Sequence, residues 1–393
     1  MKSQRESKGR QHQPTLPPAL IVNDSKSLAR LQHELSGARR LAVDTESNSL
    51  YAYRERVCLI QISSDRADYL VDPIELEKQS SLDFIGELLA DPRVEVVLHA
   101  AEYDVMCLRR DFGIELANLF DTMVAARILG WEKVGLADVL QEHFGVTLNK
   151  RHQLADWGRR PLPEAMLRYA QMDTHYLLPL RDKMHALLAA GGHLEEAREL
   201  FDEVCRAEWG RGEFDPMGFW RINGAVRLDG HTAAILQELY LFREQQAQQR
   251  DLPVFKILGD ATLVAIAERA PASLDELGQI KGMSRGQLRR YGDAILKAVE
   301  RGRDAPAPKR PRDNGHRPDE LTMRRYDLLH TWRKERAAAR GVASDVVLSR
   351  DTLWELARLA PTTPEQLEQV PSLGPWRRKT YGDEILRVLA SAR

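Results

Sequence analysis

The sequence predicts a mixed α/β domain over residues 20–210, followed by two copies of an all-α module. Three observations carry that prediction. Short runs of branched apolar residues interleave with helical periodicity through the first hundred or so positions. Helical periodicity then continues almost without a break. Finally, residues 263–299 recur as 353–389 at an offset of 90, and self-similarity on this scale marks a repeated structural unit. A chain of 393 residues also exceeds what one hydrophobic core ordinarily organises.

Taken in order, residues 1–19 are basic and polar with no apolar stretch behind them, so they read as a disordered tail and not as a secretory signal. "ALIV" (19–22) is a strand, "SLARLQHELSGA" (27–38) a helix and "LAVDTE" (41–46) a second strand. "VCLIQISS" (57–64) and "ADYLVDP" (67–73) are two more strands by their branched and aromatic content. "SLDFIGELLADP" (81–92) is a helix ending at Pro92, and "VEVVLHA" (94–100) a fifth strand. Helices are expected over 101–113, 119–130, 135–145 and, as one long element, 163–191.

In the C-terminal half, Tyr291-Gly292-Asp293 recurs as Tyr381-Gly382-Asp383, and the same offset relates Pro271 to Pro361, Leu277 to Leu367, Phe242 to Trp332 and Arg243 to Arg333. The expected modules are residues 211–302 and 318–393, joined by a Pro-rich basic linker, 303–317.

Composition excludes some classes. No run of 18 apolar residues could span a membrane. Cys58, Cys107 and Cys205 are too scattered for a disulfide framework or a metal cluster, which fits a reducing cytoplasm. Net charge is -1, yet residues 21–212 hold 23 Lys and Arg against 32 Asp and Glu, while residues 301–393 hold 19 against 13. An acidic front and a basic rear suggest a polyanion gripped at the rear. An acidic site could face the same polyanion only with bound cations reversing its field.

Four acids stand out by position. Asp44 and Glu46 are two residues apart on a strand and so share one face. Two carboxylates side by side repel, and burying them is costly unless something positive neutralises them. Asp104 follows the strand "VEVVLHA" where a helix begins, and Asp173 lies four residues after Tyr169 on a helix, so phenol and carboxylate can meet. Any one of these acids alone would read as a helix cap or a solvated charge. Asp121 reads as ordinary helix-start chemistry and His99 as a satisfied buried histidine.

Together, "VDTE" (43–46), "HAAEYD" (99–104) and "YAQMD" (169–173) resemble the three motifs of the DEDD exonuclease superfamily in its Tyr-containing branch. Within that branch, "LNKRHQLADWGRRPLPEAMLRYAQMD" (148–173) resembles the ribonuclease D family, with Lys150, Asp156-Trp157 and Arg160-Pro161-Leu162 ahead of the third motif. The repeated module resembles the HRDC domain. His99 at the head of the second motif suits ribonuclease D-like proteins, and motif spacing selects Asp104 over its neighbour Glu102.

The resemblance implies an RNase H-like mixed sheet and two divalent ions, Mg²⁺ or Mn²⁺, held by Asp44, Glu46, Asp104 and Asp173. Such hard cations prefer carboxylate oxygens. It implies that Tyr169 orients the attacking water, and that nucleoside 5′-monophosphates leave from an RNA 3′ end, tRNA precursors among the substrates. A monomer without membrane contact is expected. Arg285, Arg289 and Arg290 in the first module, and Trp376, Arg377, Arg378 and Lys379 in the second, are candidate nucleic-acid contacts, the second set looking the better equipped. Two alternatives stay open: a DNA 3′→5′ exonuclease, and a catalytically silent RNA-binding protein. No Gly-rich phosphate loop of a helicase is present, which favours the RNA reading.

Overall fold

A computed structural model describes residues 16–78, 81–210, 214–310 and 319–392. The expected tail up to residue 15 and positions 311–317 of the expected linker lie outside those residues. Strands β1 (Leu20–Val22), β2 (Arg40–Ser47), β3 (Val57–Ser63), β4 (Asp68–Val71), β5 (Glu95–Leu98) and β6 (Leu119–Asp121) form one sheet in the order β1-β4-β3-β2-β5-β6. β1 and β4 are parallel, β3 and β4 antiparallel, and β2, β5 and β6 parallel to one another. The helices of this part are α1 (Ser25–Leu35), α2 (Pro73–Leu76), α3 (Asp83–Ala90), α4 (Glu102–Phe112), α5 (Thr122–Ile128), α6 (Leu136–Phe144), α7 (Glu164–His175), α8 (Leu177–Ala190) and α9 (Leu194–Cys205). All seven residues of β3 are buried, as expected for an interior strand covered on both faces.

Two elements differ from expectation. The stretch 119–130 begins with a strand and not a helix, because three residues are too few to show an alternation. The long helix over 163–191 is two helices meeting at Tyr176. Pro179 explains the break: its ring has no N–H and collides with the carbonyl four residues earlier, at His175, where α7 ends.

One carboxylate organises two strand-to-helix turns. Asp121 accepts from Met123 and Val124 N–H at the start of α5, at 2.8 and 3.1 Å. It also accepts from Ala100 and Ala101 N–H at the start of α4, at 3.1 and 2.8 Å. Ala100 sits at φ 62°, a left-handed conformation that costs an L-residue about 1–2 kcal/mol. Asp121 is therefore more than the cap of its own helix, because it also fixes the turn from which α4 departs.

Two compact units divide the chain. One contains the sheet, its helices and the second helical module; the other contains the first module and residues 47–56. The first module comprises α10 (Gly230–Arg250), α11 (Val254–Ile257), α12 (Asp260–Arg269), α13 (Leu274–Gly278) and α14 (Arg285–Asp304). The second comprises α15 (Glu320–Arg340), α16 (Ser344–Val347), α17 (Arg350–Leu359), α18 (Pro364–Leu367) and α19 (Pro375–Ala390). The repeated positions are those that build each core: Leu277, Tyr291 and Ile295 are buried in one, Leu367, Tyr381 and Ile385 in the other. Each copy also buries an arginine whose guanidinium donates to a backbone carbonyl, Arg243 to Leu258 at 3.1 Å and Arg333 to Leu348 at 2.9 Å. Residues 47–56 belong to the first module through Tyr53, which donates its backbone N–H to Asp251 at 3.1 Å and its hydroxyl to Glu244.

Replacing Asp121 with Ala removes a cap and leaves buried N–H groups unpaired. A loss of about 2–4 kcal/mol is expected, measured as a lower urea midpoint with the denaturant slope unchanged.

Candidate active site

Leu41, Ala42 and Val43 of β2 are fully buried, and register places Arg40, Leu41 and Ala42 opposite Glu95, Val96 and Val97 of β5. The apolar half of β2 is thus clamped in the sheet, and the strand runs on past the end of β5 carrying Asp44 and Glu46. Asp173 comes from the last turn of α7. That helix buries Met166, Ala170 and Thr174, a stripe at i, i+4 and i+8. Met166 and Ala170 pack against Cys58, Leu59 and Leu70, and the Thr174 hydroxyl meets that of Ser63 at 2.7 Å. Fixing this stripe leaves Tyr169 and Asp173 on the neighbouring face.

Carboxylate oxygens of Asp44, Glu46 and Asp173 all lie within 4.8 Å of one another. Asp104 stands beside them but is held separately, its Oδ1 accepting from the Thr45 N–H at 3.1 Å and the Thr45 hydroxyl at 2.5 Å. Glu102 points to solvent, which keeps Asp104 as the inward-facing acid of α4. The Tyr169 hydroxyl donates to Asp173. Its ring is bracketed by Trp157 and His152, with centroids 6.0 and 6.1 Å away. Thr45 was not singled out in the sequence; the available signal was its place between two acids.

The electrostatics follow from crowding like charges. Burial first, then Asp104, Asp173 and Glu46, push the Asp44 carboxyl far above the ordinary range. Burial, then Asp173 and Asp104, raise Glu46 to about 9. Burial raises Asp104 to about 7 against the opposing pull of its Thr45 hydrogen bonds, and Asp173 to about 7 against that of Tyr169. Burial and then Asp173 push the Tyr169 phenol upward too. No side-chain cation pairs with any of these acids among the described residues. An all-oxygen, negatively charged and partly enclosed set fits a hard divalent cation.

His99 is the satisfied histidine expected, its Nδ1 2.9 Å from the Thr122 hydroxyl. The three cysteines are free. No helix among the described residues is long and apolar enough to cross a membrane.

The basic stretch of the second module is a correction. Arg377 is only 2% exposed and pairs with Glu203 of α9 at 2.5 Å, so it is out of reach of a phosphate. Trp376 is half-buried, its ring edge-on to Tyr381 and its backbone N–H donating to Glu199 at 2.6 Å. Arg378 caps the Leu373 carbonyl at 2.9 Å. Lys379 alone of the four is exposed. Arg285, Arg289 and Arg290 of the first module are all exposed. Exposure therefore leaves three candidate cations on the first module and only Lys379 on the second.

Comparison with known proteins agrees with this geometry. The 3′-5′ exonuclease family matches residues 20–189, and the HRDC domain matches residues 232–299 and 323–389. Ribonuclease D of Pseudomonas paraeruginosa is 30% identical over 387 residues, which cover 96% of this chain and 99% of the relative. The chain belongs to the ribonuclease D family. Its fold is similar to that of Escherichia coli RNase D, an exoribonuclease involved in structured RNA processing, with a TM-score of 0.68 and 25% identity over 95% of this chain and 99% of that one. Exosome complex component 10 of Rattus norvegicus is 33% identical over 261 residues, 65% of this chain, and this chain spans only 29% of that relative. The ribonuclease D family thus supplies a DEDD exonuclease domain followed by HRDC domains, the arrangement seen here.

The raised carboxyls make a prediction about stability. A carboxyl that binds its proton more tightly folded than unfolded stabilises the fold at low pH, and that contribution fades as pH rises from the unfolded value near 4 through the folded one. Cation-free protein should therefore lose thermal stability between about pH 5 and pH 9, the span set by Asp104, Asp173 and Glu46. Mg²⁺ should restore it. Asp44→Asn should melt higher than the parent in chelator at pH 8 and show a smaller rise on adding Mg²⁺, both read by differential scanning fluorimetry.

Proposed function

We propose that this chain is a 3′→5′ exoribonuclease that hydrolyses terminal phosphodiesters and releases nucleoside 5′-monophosphates, with structured RNA such as tRNA precursors as substrate. The observation that carries this reading is the meeting of Asp44, Glu46 and Asp173 within 4.8 Å, beside a tyrosine hydroxyl and with no pairing side-chain cation among the described residues. Asp44, Glu46 and Asp173 would hold divalent cations, two in the family pattern, and Asp104 would contribute from the turn that Thr45 and Asp121 fix. Bound there, such cations supply positive charge to the attacking and leaving oxygens of an in-line displacement at phosphorus.

The remaining work falls to the chain's own groups. Tyr169 keeps its proton at neutral pH, because burial and the neighbouring acids disfavour the phenolate. It is therefore a positioning group and not the base. Its hydroxyl donates to Asp173 and leaves its oxygen lone pairs free to accept a hydrogen bond from the water that attacks phosphorus. Trp157 and His152 hold the ring in place. Ribose and deoxyribose are separated by contacts to the 2′-hydroxyl, so the choice of RNA rests on kinship with ribonuclease D.

The test is degradation of 5′- and 3′-labelled single-stranded RNA and matched DNA, in Mg²⁺, in Mn²⁺ and in chelator. Cation-dependent loss of single nucleotides from the RNA 3′ end is expected. Asp44→Asn should abolish it, and Tyr169→Phe should slow it by about 10²-fold, the cost of a misplaced reactant. Faster loss of DNA would overturn the RNA reading, and binding without cleavage would overturn the enzymatic one.

A further inference from the structure

The face of α7 that carries Tyr169 also walls a cavity of about 210 Å³ whose lining includes none of the four acids. Asn149, Arg151 and His152 face it from the segment before α7, and Arg168, Tyr169 and Met172 from the helix itself. Three properties of this cavity go together. Its rim is cationic, since Arg151 and Arg168 are both exposed and neither guanidinium enters an ion pair or hydrogen bond among the described residues. Elsewhere in the same unit, Arg160 is paired with Asp72, Arg340 with Glu196 and Arg377 with Glu203. The wall is aromatic, with the His152 ring edge-on to that of Tyr169 at an interplanar angle of 67°. The volume falls below the roughly 300–1,000 Å³ of a typical small-molecule site, which leaves room for one planar ring and not for a whole nucleotide.

A stacking surface flanked by unpaired cations is how single-stranded nucleic acid is held without sequence choice. We propose that this cavity is a second RNA subsite, distinct from the carboxylate cluster. It takes one unstacked base of the strand against His152 and Met172, while Arg151 and Arg168 neutralise the phosphates on either side. The class of ligand rests on the exonuclease reading above. Because Tyr169 is shared between the two sites, a base seated here bears on the ring whose hydroxyl orients the water. Grip on the strand and placement of the hydroxyl are thereby linked through one side chain.

The experiment is binding of a fluorescein-labelled single-stranded RNA to the full chain in chelator, by anisotropy over a salt series. It compares the parent with Arg151→Gln/Arg168→Gln and with His152→Ala, after matched melting curves. The double variant should bind about tenfold or more weakly. Its log affinity should fall less steeply with log salt, by about 1.4, since each phosphate contact on a single strand contributes about 0.7. His152→Ala should bind about five- to a hundredfold more weakly with the parent's salt slope, because stacking releases no counterions. Parent-like affinity and slope in the double variant would overturn the subsite. The two readings fail separately: a parent that binds RNA but cleaves no polymer sinks the exonuclease and leaves the subsite to the binding data. A parent that trims RNA alongside a double variant of undiminished affinity does the reverse.

Discussion

Everything around the site answers one constraint: four carboxylates must be brought together with no side-chain cation among the described residues to oppose them. Left to itself, such a cluster would splay or protonate. It holds because each acid is mounted on an element fixed by something else. Asp44 and Glu46 extend from a strand whose preceding residues, Leu41, Ala42 and Val43, are fully buried. Asp173 rides on a helix pinned by Met166, Ala170 and Thr174. Asp104 sits in the first turn of a helix whose entry is set by the Asp121 carboxylate. The scaffold thus carries an electrostatic cost at one point and offsets it by packing elsewhere, a familiar pattern at functional sites.

The charge distribution acquires a second meaning in three dimensions. An acidic front and basic rear suggested a polyanion held at the rear, yet part of that complementarity is satisfied within the chain. Arg340 makes a bidentate pair with Glu196 at 2.7 and 2.8 Å, and Arg377 meets Glu203 and Glu199. Glu196, Glu199 and Arg377 are largely withdrawn from water, so removing a partner of one of them would leave a buried charge uncompensated, a loss well beyond that of a surface pair. Close approach is required there too: a Cβ on Gly374 would lie 2.0 Å from the Glu199 side chain. Exposed cations outside these pairs include Arg285, Arg289 and Arg290 of the first module, Lys379 of the second, and Arg151 and Arg168 beside the α7 cavity.

The sequence by itself determined the chemistry and most of the elements. Strand and helix periods put Asp44 with Glu46 and Tyr169 with Asp173, and resemblance to the three exonuclease motifs added Asp104 and joined the pairs into one candidate site. The offset of 90 announced two copies of one module, because the repeated residues are the buried ones. Only the tertiary structure could decide the rest, since it depends on partners far apart in the chain. It showed that Asp121 serves a turn twenty residues upstream, that Thr45 holds Asp104, and that Arg377 belongs to Glu203. Whether an arginine grips a ligand or a neighbouring helix is settled by what faces it once the chain is folded, and periodicity carries no record of that.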